Sequence, residues 1–308
     1  MFKDEQEVYH TMRIRVIGVP MDLGADRRGV DIGPSAIRYA GLSEHLRRLG
    51  YTVNDIGNVH VPQPESRPVG NTQLKYLEPI VQVSEELAQL VTEALQANEF
   101  PLILGGDHSI ALGSISGVAR VHQPLGVIWV DAHTDFNTGE TTPSGNIHGM
   151  ILAALAGLGD GRLVEVGGWS PKLNTSDIVI VGARDIDPGE QNLLRNNHIH
   201  VFTMSDIDER GISEIMHQAV AIAGRDNHPV HLSLDLDALD PREAPGVGTA
   251  VRGGLSYREA HLVMEMVAST HQLVSMDVVE VNAILDRENA TARLAVELVL
   301  SALGKKIL

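Results

Sequence analysis

Leu125-Gly-Val-Ile-Trp-Val-Asp-Ala-His-Thr-Asp135 joins a buried strand to a cluster of chemically active side chains. Its first half is an apolar run without polar alternation, the pattern of a strand covered on both faces. Its second half places Asp131, His133 and Asp135 at every second position, so an extended backbone turns all three to one side. Two other segments end in the same way. Pro101-Leu-Ile-Leu-Gly-Gly-Asp-His108 closes on His108, and Val230-His-Leu-Ser-Leu-Asp-Leu-Asp237 closes on Asp235 and Asp237.

Working outward, short apolar runs recur at 13–19, 51–56, 101–104, 125–130, 178–182, 199–203, 230–234 and 273–279. Helical patterns at 35–48, 78–97, 109–120, 147–158, 188–196, 211–223, 256–270 and 289–303 separate or follow them. This alternation predicts a single-domain three-layer αβα fold over residues 1–308, with a mainly parallel sheet of about eight strands. Ser35 is expected to open a helix after Pro34, and Asp187-Pro188 another. The stretches 57–73 and 136–146 read as surface loops.

The bulk composition narrows the function classes. The chain has 308 residues and no cysteine, which excludes disulfides and thiolate metal sites. Its formal charge of −16, from 24 basic and 40 acidic residues, argues against a nucleic-acid partner. An acidic, soluble surface is explanation enough for that balance. No apolar run approaches the roughly 20 residues of a membrane helix, and the polar start shows no signal-peptide pattern. A cytoplasmic protein is therefore expected.

In open α/β sheets, ligands bind beyond the carboxyl ends of the strands. His108, Asp131, Asp235 and Glu280 all stand at or just past such ends. An isolated Asp there is more often a cap or turn residue; several independent segments with the same placement point to a site. Four carboxylates and two imidazoles crowded together are costly unless cations sit among them. They are too many for one tetrahedral ion but suit two divalent ions, and the oxygen-rich set favours manganese over zinc. Two such ions can share a hydroxide at neutral pH, a nucleophile strong enough for a poor electrophile such as guanidinium carbon. His148 could move protons beside it. Glu280 would take a cationic partner, either a substrate guanidinium or an internal Arg such as Arg293.

Gly105-Gly-Asp-His-Ser109, Asp131-Ala-His-Thr-Asp-Phe-Asn137, Ser233-Leu-Asp-Leu-Asp-Ala-Leu-Asp-Pro241 and Glu280-Val-Asn282 resemble the ureohydrolases in order and spacing. The resemblance runs from Arg28 to the last helix and is greatest to the bacterial arginases, through Asn137, Ser144-Gly-Asn-Ile-His148 and Arg184-Asp-Ile-Asp-Pro-Gly-Glu190. It implies two Mn²⁺ per subunit, with Asp131 and Asp235 bridging. His108 and Asp135 would complete one site, and His133 and Asp237 the other. It implies L-arginine as substrate, attacked by the metal-bridging hydroxide to give L-ornithine and urea, with Asp135 carrying the proton toward the leaving amine. Asn137 and Ser144 would take the substrate carboxylate, Asp187 the ammonium with Glu190 helping through water, and Thr249 would lie near the guanidinium. Arg258-Glu259 resembles an intersubunit contact, which implies a homotrimer or homohexamer. Ala283 departs from the family's usual proline. The alternatives are a hydrolase of agmatine or guanidinobutyrate, or a metal-loaded binding protein without turnover.

Overall fold

The computed structural model describes residues 12–25 and 27–306. The polar start read above lies outside the described residues. The sheet strands are β1 (Arg13–Val19), β2 (Thr52–Asn58), β5 (Glu99–Gly105), β6 (Gly126–Val130), β7 (Ile178–Ala183), β8 (His200–Thr203), β9 (Val230–Asp235) and β10 (Leu273–Val279). A small antiparallel hairpin, β3 (Gly70–Asn71) and β4 (Leu74–Lys75), stands apart. The eight sheet strands run in the order β2-β1-β5-β10-β9-β6-β7-β8, and every neighbouring pair is parallel.

Side chains alternate across each strand, so each face feeds its own core. In β6, Ile128 and Val130 enter one core and Val127 and Trp129 the other. The first core is closed by α1 (Gly33–Tyr39), α2 (Leu42–Arg48), α8 (Met204–Arg210), α9 (Ile212–Ala223), α10 (Tyr257–Ser269) and α11 (Ala290–Ala302). The second is closed by α3 (Leu77–Gln96), α4 (Ala111–Ala119), α5 (Ile151–Leu155), α6 (Gly161–Val164) and α7 (Pro188–Asn196). A three-layer αβα fold results, with the sheet wholly parallel.

Local details depart from the sequence expectations. The helix expected over 35–48 is two, broken at Gly41, whose φ of 87° is left-handed. Ser35 does not open it: the helix begins at Gly33, with Pro34 in its first turn. The helix expected over 147–158 is a 3₁₀ turn at Ile147–Met150 followed by the short α5. The helix α8 was not anticipated. Its sequence, Met-Ser-Asp-Ile-Asp-Glu-Arg, is polar almost throughout, and it is held by a capping box between Thr203 and Asp206. The stretch 57–73 contains β3 rather than being loop throughout.

All eight strands end on one rim. Its centre is β5-β10-β9-β6, the four strands that deliver His108, Glu280, Asp235 and Asp131. The close pass of β5 under the chain that leaves β1 needs glycine. Gly106 N donates to Val19 O at 2.8 Å and Asp107 N to Met21 O at 2.8 Å, and a Cβ on Gly106 would overlap the Met21 carbonyl. Gly106→Ala is therefore expected to lower unfolding stability by about 1–3 kcal/mol, the usual range for overpacking a tight site. Urea unfolding checks it, and an unchanged midpoint would show that the crossing is looser than drawn.

Candidate metal centre and substrate cavity

The site is built from one local device used three times. At each strand end an Asp side chain folds back onto the backbone N–H two residues on. Asp107 Oδ1 accepts from Ser109 N (3.0 Å), Asp131 Oδ1 from His133 N (2.7 Å) and Asp235 Oδ1 from Asp237 N (2.7 Å). The turn residue and the capped residue then point into the same space. Asp131 and Asp235 form these turns and also face the imidazoles of the cluster: each turns its Oδ2 toward His108 Nδ1, and Asp131 Oδ1 in addition lies beside His133 Nδ1.

His108, Asp131, Asp135, Asp235 and Asp237 are buried, and His133 is one quarter exposed at its side chain. His108 Nδ1 lies 3.0 Å from Asp131 Oδ2, 3.2 Å from Asp135 Oδ2 and 3.2 Å from Asp235 Oδ2, yet it is hydrogen-bonded to none. His133 Nδ1 lies 3.3 Å from Asp131 Oδ1 and 3.2 Å from Asp237 Oδ2. Two ligand groups emerge, His108–Asp131–Asp235 and Asp131–His133–Asp237, and Asp131 belongs to both. Asp135 adjoins the first group through His108. A buried imidazole nitrogen facing three carboxylate oxygens without a hydrogen bond fits a shared cation, and Asp131 fits a bridge between two.

The electrostatics agree. Burial pulls His108 down, but Asp131, Asp135 and Asp235 around it raise it well above the ordinary imidazole value. His133 is raised in the same way, against burial, by Asp237 and Asp131. Burial, then Asp237 and Asp131, pushes Asp235 well up, while the two imidazoles overcome burial to hold Asp131 down. Protons are thus drawn onto the cluster to relieve its negative charge; two divalent cations between neutral imidazoles would balance the four carboxylates outright.

The candidate ligands are themselves held. Ser233 Oγ stands 2.8 Å from His108 Nε2, which leaves Nδ1 to face the carboxylates. Trp129 stacks on the His108 ring at 3.8 Å between centroids and donates Nε1–H to Asp131 Oδ2 at 2.9 Å. Thr249 Oγ1 donates to Asp237 Oδ2 at 2.7 Å. Sequence reasoning missed Ser233 and Trp129, although each stands two residues before a ligand and so shares its strand face.

Glu280 does not pair with Arg293, whose guanidinium donates to the Glu288 carbonyl. Instead its Oε1 accepts from His108 N at 3.0 Å and lies 3.1 Å from His148 Nδ1, while Oε2 is buried without a partner. Both Glu280 (φ 64°) and Asp135 (φ 47°) hold left-handed backbone, which L-residues adopt at a cost of about 1–2 kcal/mol. The turn after Glu280 is held by Asn282 Oδ1, which accepts from Ile284 N at 3.1 Å and Leu285 N at 3.3 Å, so Ala283 stands there without need of a proline.

A cavity of about 240 Å³ opens from the cluster. His133, Asp135, His148, Asn137, Ser144, Asp187, Glu190 and Thr249 all line it, and so do Thr142, Asn146, Gly149 and Asp185, which sequence reasoning passed over. Among the described residues, its wall contains four carboxylates and no Lys or Arg. Asn137 Nδ2 donates to Asp187 Oδ2 at 3.0 Å. Glu190 is chiefly a brace: it accepts from Phe136 N at 2.7 Å and Asp187 N at 3.3 Å, and burial pushes it up to about 7.

The arginase family model matches residues 12–304. The arginase of Brevibacillus brevis is 53% identical over 293 residues, covering 95% of this chain and 98% of the relative. The structure of Bacillus caldovelox arginase superposes with a TM-score of 0.94 at 49% identity, over 96% of this chain and 100% of that one. Entamoeba histolytica arginase, solved in complex with L-ornithine, superposes with a TM-score of 0.88 at 34% identity, over 96% of this chain and 99% of that one.

Burial pulls His148 down, but the Glu280 carboxylate raises it to about 9. The folded state therefore binds this proton more tightly than the unfolded chain. The resulting stabilisation is complete below about 6.5 and disappears as pH rises through about 9. In chelator-treated protein, the His148 imidazole resonance should titrate near 9; in E280Q it should fall well below that, because only the more remote Asp135 and Asp107 then oppose burial. The same midpoint in both proteins would refute the assigned pairing.

Proposed function

Because this chain belongs to the arginase family and is a hydrolase, we propose that it cleaves the guanidinium group of L-arginine to L-ornithine and urea. The observation that carries this reading is a single cavity that joins a two-centre ligand cluster to Asn137, Ser144 and Asp187. Agmatine lacks an α-carboxylate, so a hydrolase of that amine has no use for the Asn137 and Ser144 donors.

His108, Asp131, Asp135 and Asp235 would hold one manganese ion, and Asp131, His133, Asp235 and Asp237 the other. Bound there, the pair supplies a water of lowered pKa as nucleophile. The remaining work falls to the chain. The acidic wall draws in a cationic substrate. Asn137 and Ser144 orient its carboxylate, and Asp187 its ammonium. Thr249 lines the cavity beside Asp237 and fixes that ligand's direction. Glu280 Oε2, buried and without a protein partner, receives a guanidinium N–H. Since Glu280 occupies Nδ1 of His148, Nε2 is left to pass a proton to the departing amine, together with Asp135. A homotrimer or homohexamer belongs to the same reading. Within the subunit, Arg258 reaches Glu265 on its own helix, and Glu259 caps that helix through Ser256.

Urea release from arginine, agmatine and guanidinobutyrate, measured beside metal content, tests the proposal. Arginine should be preferred by at least about tenfold, the discrimination a few unpaired polar contacts provide. Chelation should abolish turnover and Mn²⁺ restore it with two ions per subunit. Arginine bound without urea release would instead favour a binding protein. Asp187→Ala should lower kcat/KM for arginine by about tenfold or more, and for agmatine far less. Equal losses on both substrates would remove Asp187 from its role at the ammonium.

A further inference from the structure

Asp107 is fully buried beside His108, carries no assigned chemistry and does not line the cavity. Its carboxylate nevertheless collects four hydrogen bonds. Oδ1 accepts from Ser109 N (3.0 Å) and from Ser109 Oγ; Oδ2 accepts from Gly24 N (2.7 Å) and Ala25 N (3.1 Å). The second pair comes from the chain that leaves β1, far away in sequence. Both amides belong to residues whose carbonyls are hydrogen-bonded to residues that line the substrate cavity. Gly24 O accepts from His148 N at 3.3 Å, and Ala25 O accepts from Asn146 Nδ2 at 3.0 Å. Asn146 Oδ1 in turn accepts from Lys75 Nζ at 3.1 Å, which fixes the orientation of the amide. One unbroken path of hydrogen bonds thus runs from the turn that presents a candidate metal ligand, through Asp107 and residues 24–25, to the backbone of His148 and the side chain of Asn146, both on the cavity wall.

We propose that Asp107 is a positioning residue for substrate binding: it clamps residues 24–25 and through their carbonyls sets Asn146 and His148 against the substrate. The inference rests on the functional reading above. A turn former with no further task needs only the Ser109 bonds. The Gly24 and Ala25 amides are what make the carboxylate a bridge, and a buried carboxylate held by several N–H donors is rigid. His108 keeps its own supports, Ser233 and Trp129, so metal binding does not hang on the clamp.

The test is a coupling cycle between Asp107→Asn and Asn146→Ala in the manganese-loaded enzyme, with ornithine affinity by calorimetry as a readout apart from turnover. Each single variant should raise KM for arginine, weaken ornithine binding at least tenfold and keep two metals per subunit. The double variant should be no worse than the weaker single one, because both cut the same path. Multiplying effects, unchanged ornithine affinity, or loss of metal in D107N would each overturn the proposal. Should D107N not fold, Gly24→Ala takes its place. Its Cβ would come to 2.7 Å from Asp107 Oδ1 and 2.7 Å from Ser109 Oγ, shifting the loop while keeping the carboxylate. The same KM rise and the same non-additivity are expected, and wild-type behaviour, or failure of both variants to fold, counts against a positioning role. Absence of urea release by the wild-type enzyme overturns the functional reading and this inference with it. Normal wild-type turnover with an uncoupled cycle overturns this inference alone.

Discussion

Mutual repulsion among Asp131, Asp135, Asp235 and Asp237 is the constraint around which the rim of this sheet is organised. Burial and neighbouring carboxylates push Asp135 and Asp235 toward the neutral form, and both imidazoles in the cluster are pulled toward the charged one. Neither response satisfies all the oxygens, and His108 Nδ1 still faces three of them without a hydrogen bond. Divalent cations would resolve the conflict directly. The surrounding structure fixes the orientations of the candidate ligands from outside the cluster, through Ser233, Trp129 and Thr249.

The parallel sheet makes such crowding possible. In a parallel arrangement every strand ends on the same rim, and β5, β10, β9 and β6 are adjacent, so four chain segments deliver polar side chains within a few ångströms. The Asp turn repeated at residues 107, 131 and 235 redirects the chain at each strand end without exposing the strand's last amides. At two of these turns the aspartate's other oxygen is left for the cluster; at Asp107 it is spent on residues 24–25. The left-handed backbone at Asp135 and Glu280 belongs to the same economy of space, since strained conformations persist where the surrounding fold over-determines them.

Much of this was legible in the chain itself. Apolar runs that end in Asp-x-His or Asp-x-Asp announce both a buried strand and a ligand pair, because the period of two that hides one face of a strand also aligns the residues beyond it. Asp187 before Pro188 announced the start of α7. Less legible was whatever depends on a partner remote in sequence. The polar segment 204–210 folds as α8 because Thr203 and Asp206 cap it and Ile207 buries, not because its periodicity is clear. Glu280 had two plausible cationic partners on paper, and only the packed structure sets it on His148.

The amino-acid sequence by itself determined the strand–helix alternation and the identity of the six ligand candidates. These follow from local periodicity and side-chain chemistry, which need no knowledge of neighbours. Tertiary structure alone decided the strand order that makes those candidates adjacent and the joining of residues 24–25 to His148 and Asn146 through Asp107. Those outcomes depend on contacts between segments far apart in the chain, and such contacts are chosen by the packing of two cores across one sheet, not by any single stretch of residues.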